Sequence, residues 1–483
     1  MDGGGRRKRI KVCAVDQQDH ISSLPDDLFL SILTKLRSTS AAVRTSVLSR
    51  RWRRVWAALP ELLLKDVSAT ESVDAALDAC SAPTVSRLEI AVSPPRYESL
   101  DAARVASWLR FASQRLAGEL SLYVPRINGE LVLPPCERLT TIKFSYRFRG
   151  TTLRLPSHGS FAALTAARIV GARMEAGDLE TFGSARCPCL RTLDLRGVIL
   201  ATASDVSIRS DTLERLSFLV RNVWKLEAIT PSLRYLRGLA PSGAAVDLVH
   251  HPGQAHILAP KLVEVEWYGA YHPRHHQFVQ AGRHLRKLFI LQQQVVQLMR
   301  RFDIVDHLVL SLRISNGIHG YKSFLQLITC KLATCDTMEV HMNARQHAFA
   351  PSLLHILRQS SGIRKLVVEL PRVTLEMVIK GDPCMSDCPC SSPESYMMDD
   401  FKLGSLEEVV LIVFINKRGS CNSKCHVLSG RWCLFSTLDS VDATLAACSA
   451  ATINRLAVTA PLLFPNDLTT ARVAPWDLFA SAS

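Results

Sequence analysis

One short pattern recurs through most of this chain: an apolar residue, two variable positions, an apolar residue, one variable position and a third apolar residue. Clear copies begin at Val85, Leu139, Leu190 (LRTLDL), Leu213 (LERLSF), Leu262 (LVEVEW), Leu285 (LRKLFI), Val305 (VDHLVL), Ile363 (IRKLVV) and Leu406 (LEEVVL). Weaker copies begin at Ala117, Leu164, Leu233 and Cys335. The mean step is about 27 residues, inside the window that marks repeat architectures. The last two apolar positions of a unit are two residues apart, so both point to one side of a short strand. One such strand cannot bury its own leucines. Stacking the units in parallel buries a continuous ridge and grows a solenoid.

The units are uneven and lack the asparagine that regular repeats place after the strand. LRTLDLRGVIL has Gly197 and Val198 there. Side chains that alternate with the buried leucines face the other way. They form a row that includes Thr192, Asp194, Arg215, Ser217, Glu264, Glu266, Tyr268, Lys287 and Phe289. A concave face of mixed charge is expected, with Glu264, Glu266, Tyr268, Lys287 and Phe289 as candidate target-binding residues and the two aromatic rings as anchors.

Residues 21–64 follow a different rule. Ser22-Ser23-Leu24-Pro25-Asp26-Asp27 reads as a helix start, with two acids at the positive end of the dipole. Leu28, Phe29, Ile32, Leu33 and Leu36 then recur at one-face helical spacing. Ser38, Thr39 and Ser40 interrupt this helix and offer a cap for a second, carrying Val43, Val47 and Leu48. Ser49 can cap a third, with Trp52, Val55, Trp56 and Leu59 on one face, Arg50, Arg51, Arg53 and Arg54 on the other, and Pro60 as its stop. Three helices in about 40 residues lie near the lower size limit for an independent core. A unit this rich in large apolar residues needs a partner, or the rest of its own chain, to cover the surplus.

The string LPDDLFLSILTKLRSTSAAVRTSVLSRRWRRVWAALPEL closely resembles the plant F-box. The repeats behind it resemble the leucine-rich domain found in many plant F-box proteins. The expected fold is therefore α/β: a small three-helix F-box (20–64) followed by an irregular leucine-rich-repeat solenoid with a parallel sheet (65–416), after a disordered basic tail (1–19). The resemblance implies that Leu24, Pro25, Leu28, Ile32 and Leu36 contact a Skp-family adaptor. Val43, Ser46, Val47, Leu48 and Trp52 would continue that surface or hold it in shape. It implies a cullin ligase core reached through the adaptor, a target protein held by the repeats, and no catalytic residue or cofactor in this chain. Arg37 departs from the family pattern, which commonly has proline there. A further small domain, FBD, follows the repeats in many relatives. This chain leaves that pattern soon after Ile415, so no FBD domain is expected.

The C-terminus repeats the N-terminus. VLSGRW (427–432) matches VLSRRW (47–52), SVDATLAACSAATINRLAV (440–458) aligns with SVDAALDACSAPTVSRLEI (72–90), and ARVAPWDLFAS (471–481) aligns with ARVASWLRFAS (103–113). Residues 417–483 thus read as a truncated duplicate of the F-box and first repeat. Ile453, Leu456 and Val458 keep the spacing of Val85, Leu88 and Ile90, which leaves two outcomes open: a strand docked as a cap, or a mobile extension.

Charge bears on the alternatives. Lys and Arg number 58 against 44 Asp and Glu, a formal net charge of +14. A basic nucleic-acid-associated protein is the reading of a different class, with the opening GGGRRKRIK and the arginine-rich third helix as its contacts. The excess is spread along the chain, which suits a solvated surface better, so nucleic acid is not the expected partner. A decayed gene fusion with neither role is the third. No secretory signal or membrane span is expected, and the nucleus, the cytoplasm or both are the expected compartments, with the 14 cysteines mostly reduced and buried. Cys384, Cys388 and Cys390 with Cys421, Cys425 and His426 fit no common zinc spacing, so no metal site is expected. Cys187-Pro188-Cys189 is a turn, and His272, His275 and His276 fall in a polar loop. Phosphate-binding glycine loops, nucleophile elbows and His-Glu-x-x-His motifs do not occur in the sequence.

Overall fold

The computed structural model describes residues 24–412 apart from 94–98, 147–149, 184, 240–252, 270, 292–296, 316, 329–331, 344–348, 370–387 and 389–403, together with 455–459. The N-terminal helices are α1 (Asp26–Lys35), α2 (Thr39–Arg44) and α3 (Arg50–Val55). Pro25 sits at the N-cap of α1, one place earlier than an N1 proline, and its carbonyl accepts from the Leu28 and Phe29 amides at 3.1 and 3.3 Å. Ser38 and Ser49 cap α2 and α3 through their side chains, each accepting a backbone amide three residues on.

The apolar stripe of α1 divides. Phe29 and Leu33 turn inward and pack with Ala42, Val55 and Leu59, against which Leu24, Trp52 and Trp56 rest. The Trp52 ring meets Phe29 edge-on, centroids 4.4 Å apart. Arg51 lies over the same Phe29 ring and its Nε donates to Asp26 at 2.7 Å, pinning the start of α1 to α3. Arg37 ends α1 with φ +49°, a left-handed conformation closed to proline.

Behind the helices runs one long parallel ladder. Its strands are Glu61–Val67, Val85–Val92, Leu116–Val124, Thr141–Tyr146, Ala166–Val170, Thr192–Arg209, Arg215–Ile229, Tyr235–Leu239, Glu264–Tyr268, His284–Leu291, Ile304–Arg313, Thr334–Asn343, Lys365–Glu369, Glu408–Ile412 and Arg455–Thr459. Each pairs in parallel with the next. The apolar units lie in one register: Leu88, Leu120, Ile142, Ala167, Leu193, Leu216, Leu236, Val265, Leu288, Leu308, Met338, Leu366 and Val409 align, all buried. Each fully buried leucine contributes on the order of 2 kcal/mol of hydrophobic stabilisation.

Two weak copies have a physical reason. In the unit assigned to Ala117 the buried residue is Leu116, one place earlier, because Gly118 adds a residue to the strand. Gly118 has φ +149°, and a Cβ there would lie 2.1 Å from the Ser86 carbonyl oxygen. In the unit at Leu233 the third position is Gly238, and the Trp267 indole from the next strand fills the space a side chain would occupy.

The sequence pattern did not reveal a second parallel ladder. It joins Glu130–Val132, Thr151–Arg154, Ala172–Met174, the latter parts of Thr192–Arg209 and Arg215–Ile229, Gln254–Leu258 and His276–Val279. After the first-ladder strands, where the repeat asparagine is lacking, the backbone itself bonds unit to unit. At the strand entries, too, one carbonyl takes two amides of the following unit: Thr165 O accepts from Arg191 and Thr192, and Arg191 O from Glu214 and Arg215. Elsewhere helices pack against the ladder, including Glu71–Ala79 and Ala102–Arg115 near its start and Phe349–Arg358 near its end.

The N-terminal helices and the ladder meet at its first strand. Thr39, buried at the start of α2, accepts the Leu63 amide on its hydroxyl at 2.7 Å. The ladder's first strand begins at Glu61, inside the segment that the sequence reading gave to the F-box.

Candidate docking surfaces

Two surfaces collect side chains that the interior does not use. The first is on the N-terminal helices. Leu28, Ile32 and Leu36 share the outer side of α1, exposed by 49, 44 and 44%. Val43 on α2 and Val47 and Leu48 in the following turn are also open, the last two by 85 and 65%. Monomeric surfaces seldom gather this many large aliphatic side chains, and such a patch marks an interaction site. Of the other residues expected there, Pro25 is exposed and caps α1, Leu24 is half-buried on the small core, and Trp52 is a half-buried core partner of Phe29. Ser46 is half-buried with its hydroxyl enclosed, and its carbonyl accepts from Arg53 Nε at 3.2 Å. The structure thus divides the set into exposed aliphatic residues and residues that shape the unit.

The second surface is the polar face of the first ladder. In each strand it carries the residue before the second buried position, the one after it, and the one after the third. Its first strands are tied by ion pairs: Lys143 reaches Glu119 at 2.7 Å, Arg87 reaches Glu89 at 2.9 Å, and Lys65 approaches Glu89 at 3.4 Å. Burial alone would raise the Glu119 carboxyl, but hydrogen bonds from Lys143 and Ser121 hold it below its ordinary range.

Midway along, buried Asp194 is shared by Arg168 and Arg196 at 2.8 and 2.7 Å. Next comes a knot around Glu266. Arg237 approaches it at 3.3 Å, the Tyr235 hydroxyl donates to it at 2.9 Å, and the Tyr268 hydroxyl donates to its other oxygen while accepting from Arg237. Burial, with Glu266 adding to it, pushes the Tyr235 hydroxyl up to about 12, so it remains a donor. Arg215 lies over the Tyr235 ring at 4.3 Å. Glu264 pairs with Arg286, and Lys287 and Phe289 are half-exposed beside them.

Further along, Glu339 accepts from His307 at 2.9 Å and from His341 at 2.6 Å, and His341 also contacts Glu369 through its other ring nitrogen. Hydrogen bonds from the two imidazoles hold the Glu339 carboxyl well below its usual range. The bond to Glu339 raises His341, with Glu369 adding to it. An imidazole facing carboxylates on both sides is held as the cation, because only that form donates twice.

The histidines of the polar loop lie close together, with the His272 ring 6.2 Å from that of His275 and 6.1 Å from that of His276, but they differ in burial. His276 opens a second-ladder strand and is buried, with Nδ1 accepting the His272 amide at 3.0 Å and Nε2 against the Gly253 carbonyl at 3.1 Å. Burial pushes it down to about 4, so it is a neutral core residue. His272 is exposed. Cys80, Cys136, Cys187 and Cys335 are buried thiols without a disulfide, and burial drives Cys136 and Cys335 up to about 12. Of the cysteines weighed for zinc, Cys388 is buried, and the other five residues of that set lie outside the described residues. Among the described residues no helix is long and apolar enough to cross a membrane.

The F-box domain model matches residues 21–64. An F-box/LRR-repeat protein of Arabidopsis thaliana is 24% identical over 75% of this chain and 74% of its own length. An FBD-associated F-box protein of the same plant is 22% identical over 85% of this chain and 93% of its own length. F-box/LRR-repeat protein 13 of Arabidopsis is 27% identical over 52% and 58%. This chain therefore carries an F-box domain of three short helices at residues 21–64, backed by a long parallel leucine-rich ladder, and its homologues are Arabidopsis F-box/LRR-repeat and FBD-associated F-box proteins.

Proposed function

We propose that the chain is the substrate-receptor subunit of a SKP–cullin–F-box ubiquitin ligase. The F-box binds the Skp-family adaptor, the adaptor carries the cullin core, and the polar face of the ladder holds the target. The observation that carries this reading is the exposed aliphatic patch on an F-box whose interior is already packed without it. Leu28, Ile32, Leu36, Val43, Val47 and Leu48 are therefore available to anchor a helical partner. The chain itself performs no bond-making step. It accelerates ubiquitin transfer by raising the effective concentration of target lysines near the ligase.

The test is capture of the recombinant adaptor by the full chain and by an Ile32→Lys, Leu48→Lys variant. Both positions are exposed, so the fold should survive, while a buried unpaired charge at a hot spot should weaken binding at least a hundredfold, about 3 kcal/mol. Unchanged capture by a folded variant removes the proposal. Salt-dependent retention on DNA with no adaptor binding would favour the nucleic-acid reading instead.

A further inference from the structure

Charge on the polar face of the ladder is matched toward its two ends and unmatched in its middle. On the first four strands Lys65, Arg87 and Lys143 each reach Glu89 or Glu119. From Ile304–Arg313 to Glu408–Ile412 the three carboxylates are all engaged: Glu339 by His307 and His341, Glu369 by His341, and Glu408 by Lys365 at 3.0 Å. Between these stretches, from Ala166–Val170 to His284–Leu291, the face carries Arg168, Arg196, Arg215, Arg237 and Lys287 against Asp194, Glu264 and Glu266. Asp194 serves Arg168 and Arg196 at once, Glu266 serves Arg237, and Glu264 is taken by Arg286 at the entry of the next strand. Exposed Arg215 rests on the Tyr235 ring, and Lys287 is half-exposed; among the described residues no carboxylate pairs with either. Six cations thus meet three carboxylates, with Phe289 and Leu291 half-exposed on the same strand as Lys287.

Resting on the reading that this face receives a target, we infer that its middle strands recognise an extended acidic polypeptide segment. Carboxylates of the segment lie over Arg196 and Arg215 at one end and over Lys287 at the other, and an apolar side chain beside the second group sits on Phe289 and Leu291. The cations supply the complementary potential, and the balanced strands on either side confine it to this stretch. The spacing follows from the ladder. Four strand steps separate Thr192–Arg209, which bears Arg196, from His284–Leu291, and at ~4.8 Å each they span about 19 Å. An extended chain covers that distance in about six residues. A nucleic acid fits less well. Its unbroken run of phosphates would also pass over Asp194, Glu264 and Glu266, whereas a peptide places its carboxylates only where the face has cations to spare.

The experiment uses the full chain and three fluorescent peptides of equal length. One carries two aspartate pairs about six residues apart, with a leucine beside the second pair. The second has asparagine for every aspartate, and the third has serine for the leucine. The first should bind about tenfold more tightly than either other, and an oligothymidylate of equal charge should bind more weakly than the first. Arg215→Glu and Lys287→Glu should each remove the preference for aspartate over asparagine, with the glutamine variants used if these do not fold. Lys225→Glu, an equal change of charge at an exposed position on the second ladder, should leave that preference intact. Equal binding of the first peptide and either other overturns the inference, as does tighter binding of the oligothymidylate. So does a preference that the folded variants at Arg215 and Lys287 retain, or one that Lys225→Glu lowers as much as they do. Adaptor capture is measured on the same preparations. A chain that captures the adaptor but does not distinguish the peptides refutes this inference alone, whereas loss of adaptor capture refutes the ligase reading.

Discussion

Arg37 shows how much a single position can settle. Its φ of +49° costs a side-chain-bearing residue about 1 kcal/mol or more, and glycine adopts it without strain. Arg37→Gly should therefore raise the stability of the F-box by about 0.5–1 kcal/mol once its greater unfolded-state freedom is counted, and Arg37→Val should lower it. Urea unfolding followed by tryptophan fluorescence would report both, and a glycine variant no more stable than the parent would refute the assignment. Glu339 and His341 make the matching case for charge. His341 is raised above its ordinary 6.5, so the stability it adds is complete below that pH and is lost as pH rises through the folded value. Glu339 is depressed below its ordinary 4.5, so its contribution is present above that pH and is lost as pH falls. The cluster therefore contributes most between about 4.5 and 6.5. The urea midpoint should fall from pH 6.5 to 9 more steeply in the parent than in His341→Gln, and parallel profiles would show that the bridge adds no stability.

Among the secondary-structure elements, the joint between α2 and the first ladder strand is the most telling. Thr39 is buried and its hydroxyl accepts the Leu63 amide, so the F-box is bonded to the edge of the solenoid at the point where the ladder would otherwise end. An isosteric Thr39→Val change leaves that amide without its acceptor, at about 1–3 kcal/mol. Hydrogen exchange should then accelerate at Leu63 and its strand while the strands around Leu288 keep their protection. Uniform acceleration across the ladder, or none at Leu63, would show that the bond does not hold the two parts together. At this level the sequence was readable where periodicity is strong. The thirteen apolar units all became ladder strands, with one shifted by a residue at Gly118. The second ladder escaped because its strands are three to five residues where separate, too short for a repeat of two to stand out.

Across the chain as assembled, the strand Arg455–Thr459 resolves the two outcomes left open for the C-terminal duplicate. It pairs in parallel with Glu408–Ile412, with Leu456 beside Val409 and Val458 beside Leu411, and so continues the ladder. The duplicate's VLSGRW lies outside the described residues. Truncation after Asn416 should leave adaptor affinity unchanged, because the F-box at residues 21–64 remains intact. It should also bare the edge of Glu408–Ile412, lowering the stability of the last units and promoting association between chains. Adaptor capture and sedimentation velocity would check both. Loss of capture with a folded F-box would mean that the second copy contributes to docking.

The residue pattern sufficed to specify the class of fold, because burial of a period-two apolar pair on a strand of fixed length is a local property that stacking repeats. It likewise marked the F-box, whose caps and apolar spacing lie within about forty residues. Which half of the α1 stripe turns outward was not legible in the periodicity, although the F-box resemblance singled out Leu28, Ile32 and Leu36, the residues left exposed. Leu28 and Phe29 are equally apolar neighbours, and only the placement of α3, with Trp52 and Val55 against Phe29, decides which is buried. The partners of Glu266 on the neighbouring strand were equally hidden, since Tyr235 and Arg237 reach it from about thirty residues away in sequence. Such contacts depend on strand register, and register is a property of the assembled ladder: a unit one residue longer would have turned each of these side chains to the opposite face.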